Sequence, residues 1–304
     1  MYKEFFGLRA NPFNANPDPR YLFLTRHTEE ALACLTYGVS SRKGFVLLTG
    51  EVGTGKTTLV NKLLEFLRAQ RTPTAFIFNS RMDVTQFLEY MMADFGIVCE
   101  SKSKSQIMLK LNNWLLDRYR AGETAVLIVD EAQNLGDDLL EEIRLMTNLE
   151  TSTEKLLQIV LVGQPELEQK LKQPQLRQLR QRFTLRAKTH ALTLEETKSY
   201  IAQRLRIAGC ERSQVFGDEA LARIHLYAGG IPRLINLICE HCLVGAFVER
   251  VKTVTAEAVD SVASDFELDE EPLDLNVEKE SLIALPGNGS GRKAAENLKE
   301  GSNL

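Results

Sequence analysis

Residues 50–57 read Gly-Glu-Val-Gly-Thr-Gly-Lys-Thr and fit the pattern G-x-x-x-x-G-K-[ST]. The chemistry of such a run is phosphate binding. Glycines let consecutive backbone N–H groups close around phosphate oxygens, and a helix starting at the lysine adds a favourable field. Lys56 is spaced to reach β- and γ-phosphates, and the Thr57 hydroxyl to ligate Mg²⁺. A glycine-rich turn can also be no more than a tight strand-to-helix connection. Here an apolar run, Phe45–Thr49, precedes the motif and an apolar-patterned helix follows it, which is the setting the chemistry requires. A second run, Ala125-Val-Leu-Ile-Val-Asp130-Glu131, ends a buried-strand pattern in two adjacent carboxylates. Asp130 can hold Mg²⁺ directly or through water, and Glu131 can polarise a water for attack on the γ-phosphate. Acids that end strands can also be solvated loop residues. Downstream of a phosphate loop, the pair points to nucleotide hydrolysis and not to storage. No Asn-Lys-x-Asp or Thr-Lys-x-Asp segment that would read guanine is present, which favours ATP.

These residues must be positioned by a scaffold, and the hydrophobic pattern describes one. Residues 1–185 alternate short apolar runs with helical periodicity, as expected of an α/β domain whose parallel sheet is covered by helices on both faces. The expected strands are Phe45–Thr49, Ala75–Asn79, Ala125–Asp130 and Gln158–Val162, each rich in Val, Ile, Leu or Phe and unalternated. Helical periodicity covers Lys56–Gln70, Asp83–Phe95, Ser103–Arg120 and Asp137–Leu149. From about Leu185 the strands are expected to stop. Thr193-Leu-Glu-Glu196 is a capping-box pattern that starts a helix to Ala208. Asp218–Tyr227, Pro232–Glu249 and Thr255–Ser264 read as further helices, so residues 186–264 are expected to form a small all-helical domain.

Composition bounds the rest. The chain has 304 residues, a net charge of −4, 44% hydrophobic and 26% charged residues, which excludes collagen-like, fully disordered and small disulfide-framework classes. Residues 265–304 hold ten acids and four bases, a net −6, leaving the remainder near neutral at +2. With few large apolar side chains, this stretch is expected to be a disordered acidic tail. The longest apolar stretches, Ala125–Val129 and Ile159–Val162, fall far short of a membrane span. Residues 1–10 show no secretory signal pattern, so a cytoplasmic location is expected. Five scattered cysteines argue for reduced thiols. The cluster Cys239-Glu-His241-Cys242 lies in an apolar helical stretch with no second ligand group, so its thiols are expected to be ordinary core residues.

Two further features narrow the class. The strand Gln158–Val162 leads into Gly163-Gln164-Pro165-Glu166, and Gly229-Gly-Ile-Pro-Arg233 opens a helix in the all-helical region. A phosphate loop, an Asp-Glu pair, a polar residue ending the next strand and a helical lid with a Gly-x-Pro-Arg turn occur in that order in AAA+ ATPases. Residues 10–264 resemble that arrangement, a P-loop NTPase three-layer parallel sheet followed by a helical lid. The motifs Phe5-Phe-Gly-Leu-Arg-Ala-Asn-Pro-Phe13, Tyr21-Leu-Phe-Leu24 and His27-Thr-Glu-Glu-Ala-Leu32 narrow the resemblance to the ExeA/GspA family of bacterial secretion ATPases. So do the loop through Thr58, Asp130-Glu-Ala-Gln-Asn-Leu135, Leu161-Val-Gly-Gln-Pro-Glu-Leu167, Leu179-Arg-Gln-Arg-Phe183 and Gly229-Gly-Ile-Pro-Arg-Leu-Ile-Asn236.

That resemblance implies roles. Gly50, Glu51, Val52, Gly53, Thr54, Gly55, Lys56, Thr57 and Thr58 form the nucleotide loop. Gln164 takes the place of the first sensor and Arg233 of the second. Arg180 or Arg182 takes the place of an arginine finger that reaches a neighbour's γ-phosphate. Tyr21 and His27 fall where the adenine pocket opens. Each has a simpler reading: Gln164 as a satisfied strand-end amide, Arg233 as a helix cap, Arg177, Arg180 and Arg182 as a solvated face, Tyr21 and His27 as packing for the N-terminal segment. A finger supplied in trans implies a homo-oligomer. The family implies a protein partner in a secretion or other envelope-assembly machine, hence a peripheral place at the inner membrane through that partner. Secretion members carry a membrane span after the ATPase, where this sequence has its acidic stretch. A DNA-associated AAA+ ATPase is the alternative, kept by the basic stretches Arg177–Arg186 and Arg204–Arg212 and opposed by the near-neutral body. A nucleotide-gated scaffold is a third reading, opposed by Glu131.

Overall fold

The computed structural model of the chain describes residues 2–78, 82–98, 100, 103–210 and 214–268. The expected apolar runs form strands β1 (Phe45–Thr49), β2 (Thr74–Ile77), β3 (Ala125–Val129) and β4 (Leu157–Gly163). Asn79, expected at the end of the second strand, lies outside the described residues. The strands do not stop at Leu185: Leu185–Lys188 forms a fifth, β5. Its sequence alternates polar and apolar residues and it lies at the sheet edge, where only Ala187 is fully buried. An uninterrupted apolar run is therefore no guide to it. All pairings are parallel, in the order β2-β3-β4-β1-β5.

Period-two alternation gives the sheet two apolar faces. Phe45 and Leu47 of β1, Leu127 and Val129 of β3, and Ile159 and Leu161 of β4 belong to one buried cluster. Helices α4 (Val84–Asp94), α5 (Lys104–Arg120), α6 (Asp137–Met146) and α7 (Pro165–Leu171) complete that cluster. The intervening residues, Val46, Leu48, Val126, Ile128, Val160 and Val162, pack on the opposite side. There they meet α2 (Arg26–Ser40) and α3 (Lys56–Ala69). Three layers result. A short helix, α8 (Arg177–Arg180), precedes β5.

The helical region follows its sequence closely. Helix α9 (Leu194–Ile207) starts at the expected capping box, with Thr193 and Glu196 each satisfying the other's backbone. Helices α10 (Asp218–Ala228), α11 (Pro232–Val248) and α12 (Ala256–Asp265) enclose a separate core around Ile224, Ile235, Ile238 and Leu243. Phe6, from the first helix α1 (Tyr2–Phe6), packs in this core with Leu8 and Phe13. By packing, the start of the chain therefore goes with the helical layer and not with the sheet, where the sequence-based boundary puts it. The anchor is Arg204 of α9. It is buried, donates from Nε to the Pro12 carbonyl and from Nη1 to Tyr200 Oη at 2.7 Å, and lies over the Tyr21 ring. No apolar pattern reveals such an anchor.

The first four residues of the expected tail, 265–268, belong to the helical layer. Asp265 closes α12, the Phe266 ring meets His241 edge-on, and Leu268 packs on the helical core. Residues 269–304, the remainder of the expected tail, lie outside the described residues. Cys239 and Cys242 are buried in α11, and burial pushes the Cys242 thiol up to about 12 and the Cys239 thiol well above its ordinary value. No group of three or more His, Cys, Asp or Glu among the described residues is arranged to hold a metal ion.

Candidate nucleotide site

The site forms beyond the carboxyl ends of the central strands, where a parallel sheet leaves a crevice between its connections. The loop after β1 turns through two left-handed glycines, Gly53 (φ 80°) and Gly55 (φ 97°), and Gly55 caps the N-terminus of α3. Its first residue is constrained differently. A side chain at Gly50 would come within 1.9 Å of Thr189 Oγ1, so only glycine lets the segment after β5 close over the loop. Thr189 Oγ1 then lies 2.6 Å from Thr54 Oγ1, and Thr54 bonds the Glu51 carbonyl. The helical layer also touches the loop: the Arg233 N–H donates to the Gly53 carbonyl at 3.2 Å.

Lys56 is buried and donates from Nζ to the carbonyls of Gly50 at 2.7 Å and Glu51 at 2.9 Å. Burial holds its ammonium below the usual lysine range, against the opposing pull of Glu131 and Asp130. Asp130 is also buried, and loss of hydration raises its carboxyl value despite the Glu131 N–H that donates to Oδ1 at 2.9 Å. Glu131 takes a left-handed backbone (φ 50°) and accepts at Oε2 from Gln164 Nε2 at 3.1 Å and from Gln133 Nε2. A cation, two carboxylates and a strand-end amide thus converge from β1, β3 and β4.

The raised carboxyl value of Asp130 has a measurable consequence. Folded protein holds this proton more tightly than the unfolded chain, so stability is lost as pH rises from the unfolded carboxyl value through the folded one. At neutral pH the buried charge is a net cost. Asp130→Asn removes the charge and keeps the Oδ1 acceptor. It is expected to melt roughly 2–4 °C higher than wild type at pH 7 without nucleotide, as for a gain of about 1 kcal/mol. Calorimetry should show the gap closing as pH falls into the carboxyl range. A variant that melts lower at pH 7 would show that the charge is compensated.

The loop, Lys56 and Glu131 border an open cleft of about 770 Å³. Thr57, Thr58, Gln164, Tyr21 and Arg233 line it as well. Gly50, Glu51 and Asp130 are not among its lining residues. His27 does not line the cleft; it is exposed at the start of α2 and its ring lies tilted against that of His190, centroids 4.7 Å apart. His190, like His241, lines the cleft. Arg180 and Arg182 are half-buried and away from their own chain's cleft, with Arg182 Nη2 donating to Asn148 Oδ1 at 3.3 Å. Sequence reading missed Gln133, Thr189 and Arg204. Only Gln133 left a signal, its place two residues after the carboxylate pair. Thr57 and Asp130 are hard oxygen donors, suited to a cation such as Mg²⁺ that keeps most of its ligands as water and phosphate oxygens. Among the described residues no helix is long and apolar enough to cross a membrane.

Comparison with known proteins agrees with this geometry. Residues 39–171 match the family model described as AAA domain. General secretion pathway protein A of Aeromonas hydrophila is 45% identical over 248 residues, 81% of this chain and 45% of that protein. The chain therefore spans less than half the length of that relative. The fold is shared with Cdc6p of Pyrobaculum aerophilum (TM-score 0.63, 18% identity, 82% of this chain and 70% of that one). It is shared too with the RuvB Holliday junction branch migration motor of Thermotoga maritima (TM-score 0.52, 18% identity, 81% and 72%). With the P-loop sheet, the AAA domain and the long match in hand, the chain is an AAA+ protein related to General secretion pathway protein A.

Proposed function

We propose that this chain hydrolyses ATP as a homo-oligomer and uses the cycle to remodel or assemble a partner complex of the bacterial envelope, secretion being the leading case. The observation that carries the reading is the convergence of Lys56, Glu131 and Gln164 on one cleft, with the buried Asp130 accepting from the Glu131 N–H beside them. Lys56 and the loop N–H groups bind the triphosphate, and the low-dielectric floor strengthens each charge contact. Thr57 and Asp130 would hold Mg²⁺, which supplies positive charge at the β- and γ-phosphate oxygens. Glu131 orients the attacking water in line with the γ-phosphorus. Gln164, bonded to Glu131, senses the state of that carboxylate. Arg233 joins the helical unit, residues 186–264 in this reading, to the loop, so nucleotide state sets the angle between the two units. Similarity to General secretion pathway protein A supports the envelope assignment, with the chain held at the inner membrane by its partner.

Steady-state hydrolysis tests the core of this reading. Turnover is expected to require Mg²⁺ and to rise per subunit with protein concentration. A chain that binds ATP and does not turn it over at any concentration is a nucleotide-gated scaffold instead.

A further inference from the structure

Gln133 sits in the 3₁₀ turn Ala132–Asn134, and both ends of its side-chain amide are engaged. Oε1 accepts from the Gln164 backbone N–H at 3.2 Å, and Nε2 donates to Glu131 Oε2. With one end committed as acceptor, the amide has one orientation, and its donor must face the carboxylate. Gln164 Nε2 donates to that same carboxylate oxygen at 3.1 Å. Two donors on one oxygen fix the rotation of the carboxylate group.

Two features of the backbone serve this arrangement. Glu131 holds a left-handed conformation (φ 50°, ψ 38°), which a non-glycine residue keeps only where its surroundings over-determine it. Its N–H is taken by Asp130 Oδ1 at 2.9 Å and its carbonyl by Asn134 N at 3.0 Å. Across the strand boundary, a Cβ at Gly163 would lie 2.9 Å from Gln133 Oε1 and 2.7 Å from Leu167 Cδ2. Glycine at the end of β4 leaves the room that the Gln133 amide occupies.

We propose that Gln133 is the positioning residue for Glu131, fixing its carboxylate against the end of β4 and joining it to Gln164. The proposal rests on the reading of Glu131 as the group that polarises the attacking water. Gln133 itself touches no reacting atom.

The test compares kcat, KM and ATP affinity for wild type, Gln133→Ala, Gln133→Glu, Gly163→Ala and the Gln133→Ala/Gly163→Ala double variant, with Glu131→Gln as reference. Gln133→Ala is expected to lower kcat roughly tenfold to hundredfold, the scale of a misplaced reacting group, with ATP affinity within about twofold. Gln133→Glu keeps length and shape and, when ionised, cannot donate, so it should lose at least as much. Gly163→Ala should reproduce the loss by displacing the amide. The double variant should be no worse than the poorer single one, because both remove one interaction. Melting curves check folding, and if Gly163→Ala does not fold the two Gln133 variants decide. Wild-type kcat in Gln133→Glu, or a loss confined to KM, overturns the proposal. An inactive Glu131→Gln beside a fully active Gln133→Ala overturns it alone. An active Glu131→Gln or an inert wild type overturns the reading of Glu131, and the proposal with it.

Discussion

Glu131→Gln is expected to lower kcat by roughly 10²–10⁴, the usual contribution of a positioned general base, while ATP binding stays within about twofold. The separation follows from which atoms do what. In the proposed site binding is carried by the loop N–H groups and by Lys56, whose Nζ donates to the Gly50 and Glu51 carbonyls and not to Glu131. A glutamine at 131 has nearly the same shape and still offers one oxygen to the amides of Gln133 and Gln164, which now donate to the Glu131 carboxylate. What it lacks is the charge that draws a proton from water. Nucleotide binding by calorimetry and release of inorganic phosphate, measured on the same preparation, separate the two effects. A variant that loses affinity in step with turnover would make Glu131 part of the binding floor. A variant with wild-type turnover would remove it from the chemistry.

The site was legible in the sequence to different depths, and the reason differs by residue. Lys56, Asp130 and Gln164 could be found because each sits at a fixed offset from a strand that announces itself by apolar composition. β1, β3 and β4 are buried on both faces, and their burial pattern is unbroken. The helical region was legible through its caps, Thr193 with Glu196 above all. β5 was not, because an edge strand needs only one buried residue, Ala187, and its sequence shows little of that. Gln133 was hidden for another reason. Its acceptor end is held by Gln164, 31 positions away at a neighbouring strand's end, and β3 and β4 come side by side through the register Val129↔Leu161. His27 and His190 show the same limit: the histidine in a recognisable motif is exposed, and its neighbour His190, which lines the cleft, follows an edge strand.

The second large effect concerns Arg180 and Arg182. If one of them completes a neighbour's site, its replacement by alanine should lower kcat by roughly 10³–10⁵, the range for arginine fingers in other NTPases. The geometry within one chain is consistent with a role in trans, since neither arginine lines its own cleft and both are half-buried beside α8, pinned by the buried Leu179. Alanine substitution alone does not distinguish a finger from a residue that only holds two subunits together. Mixing does. In a head-to-tail ring each site combines one subunit's carboxylate with the next subunit's arginine. An inactive Arg182→Ala chain still has Glu131, and an inactive Glu131→Gln chain still has Arg182. Co-assembled in equal amounts, the two should regain activity at about one interface in four, where an intact carboxylate meets an intact arginine. The same mixture with Arg180→Ala identifies which arginine acts. If both arginine variants remain inactive in every mixture while sizing shows that they co-assemble, the arginines act within their own chain. If neither substitution changes turnover, they are a solvated face, and hydrolysis is complete within a single subunit.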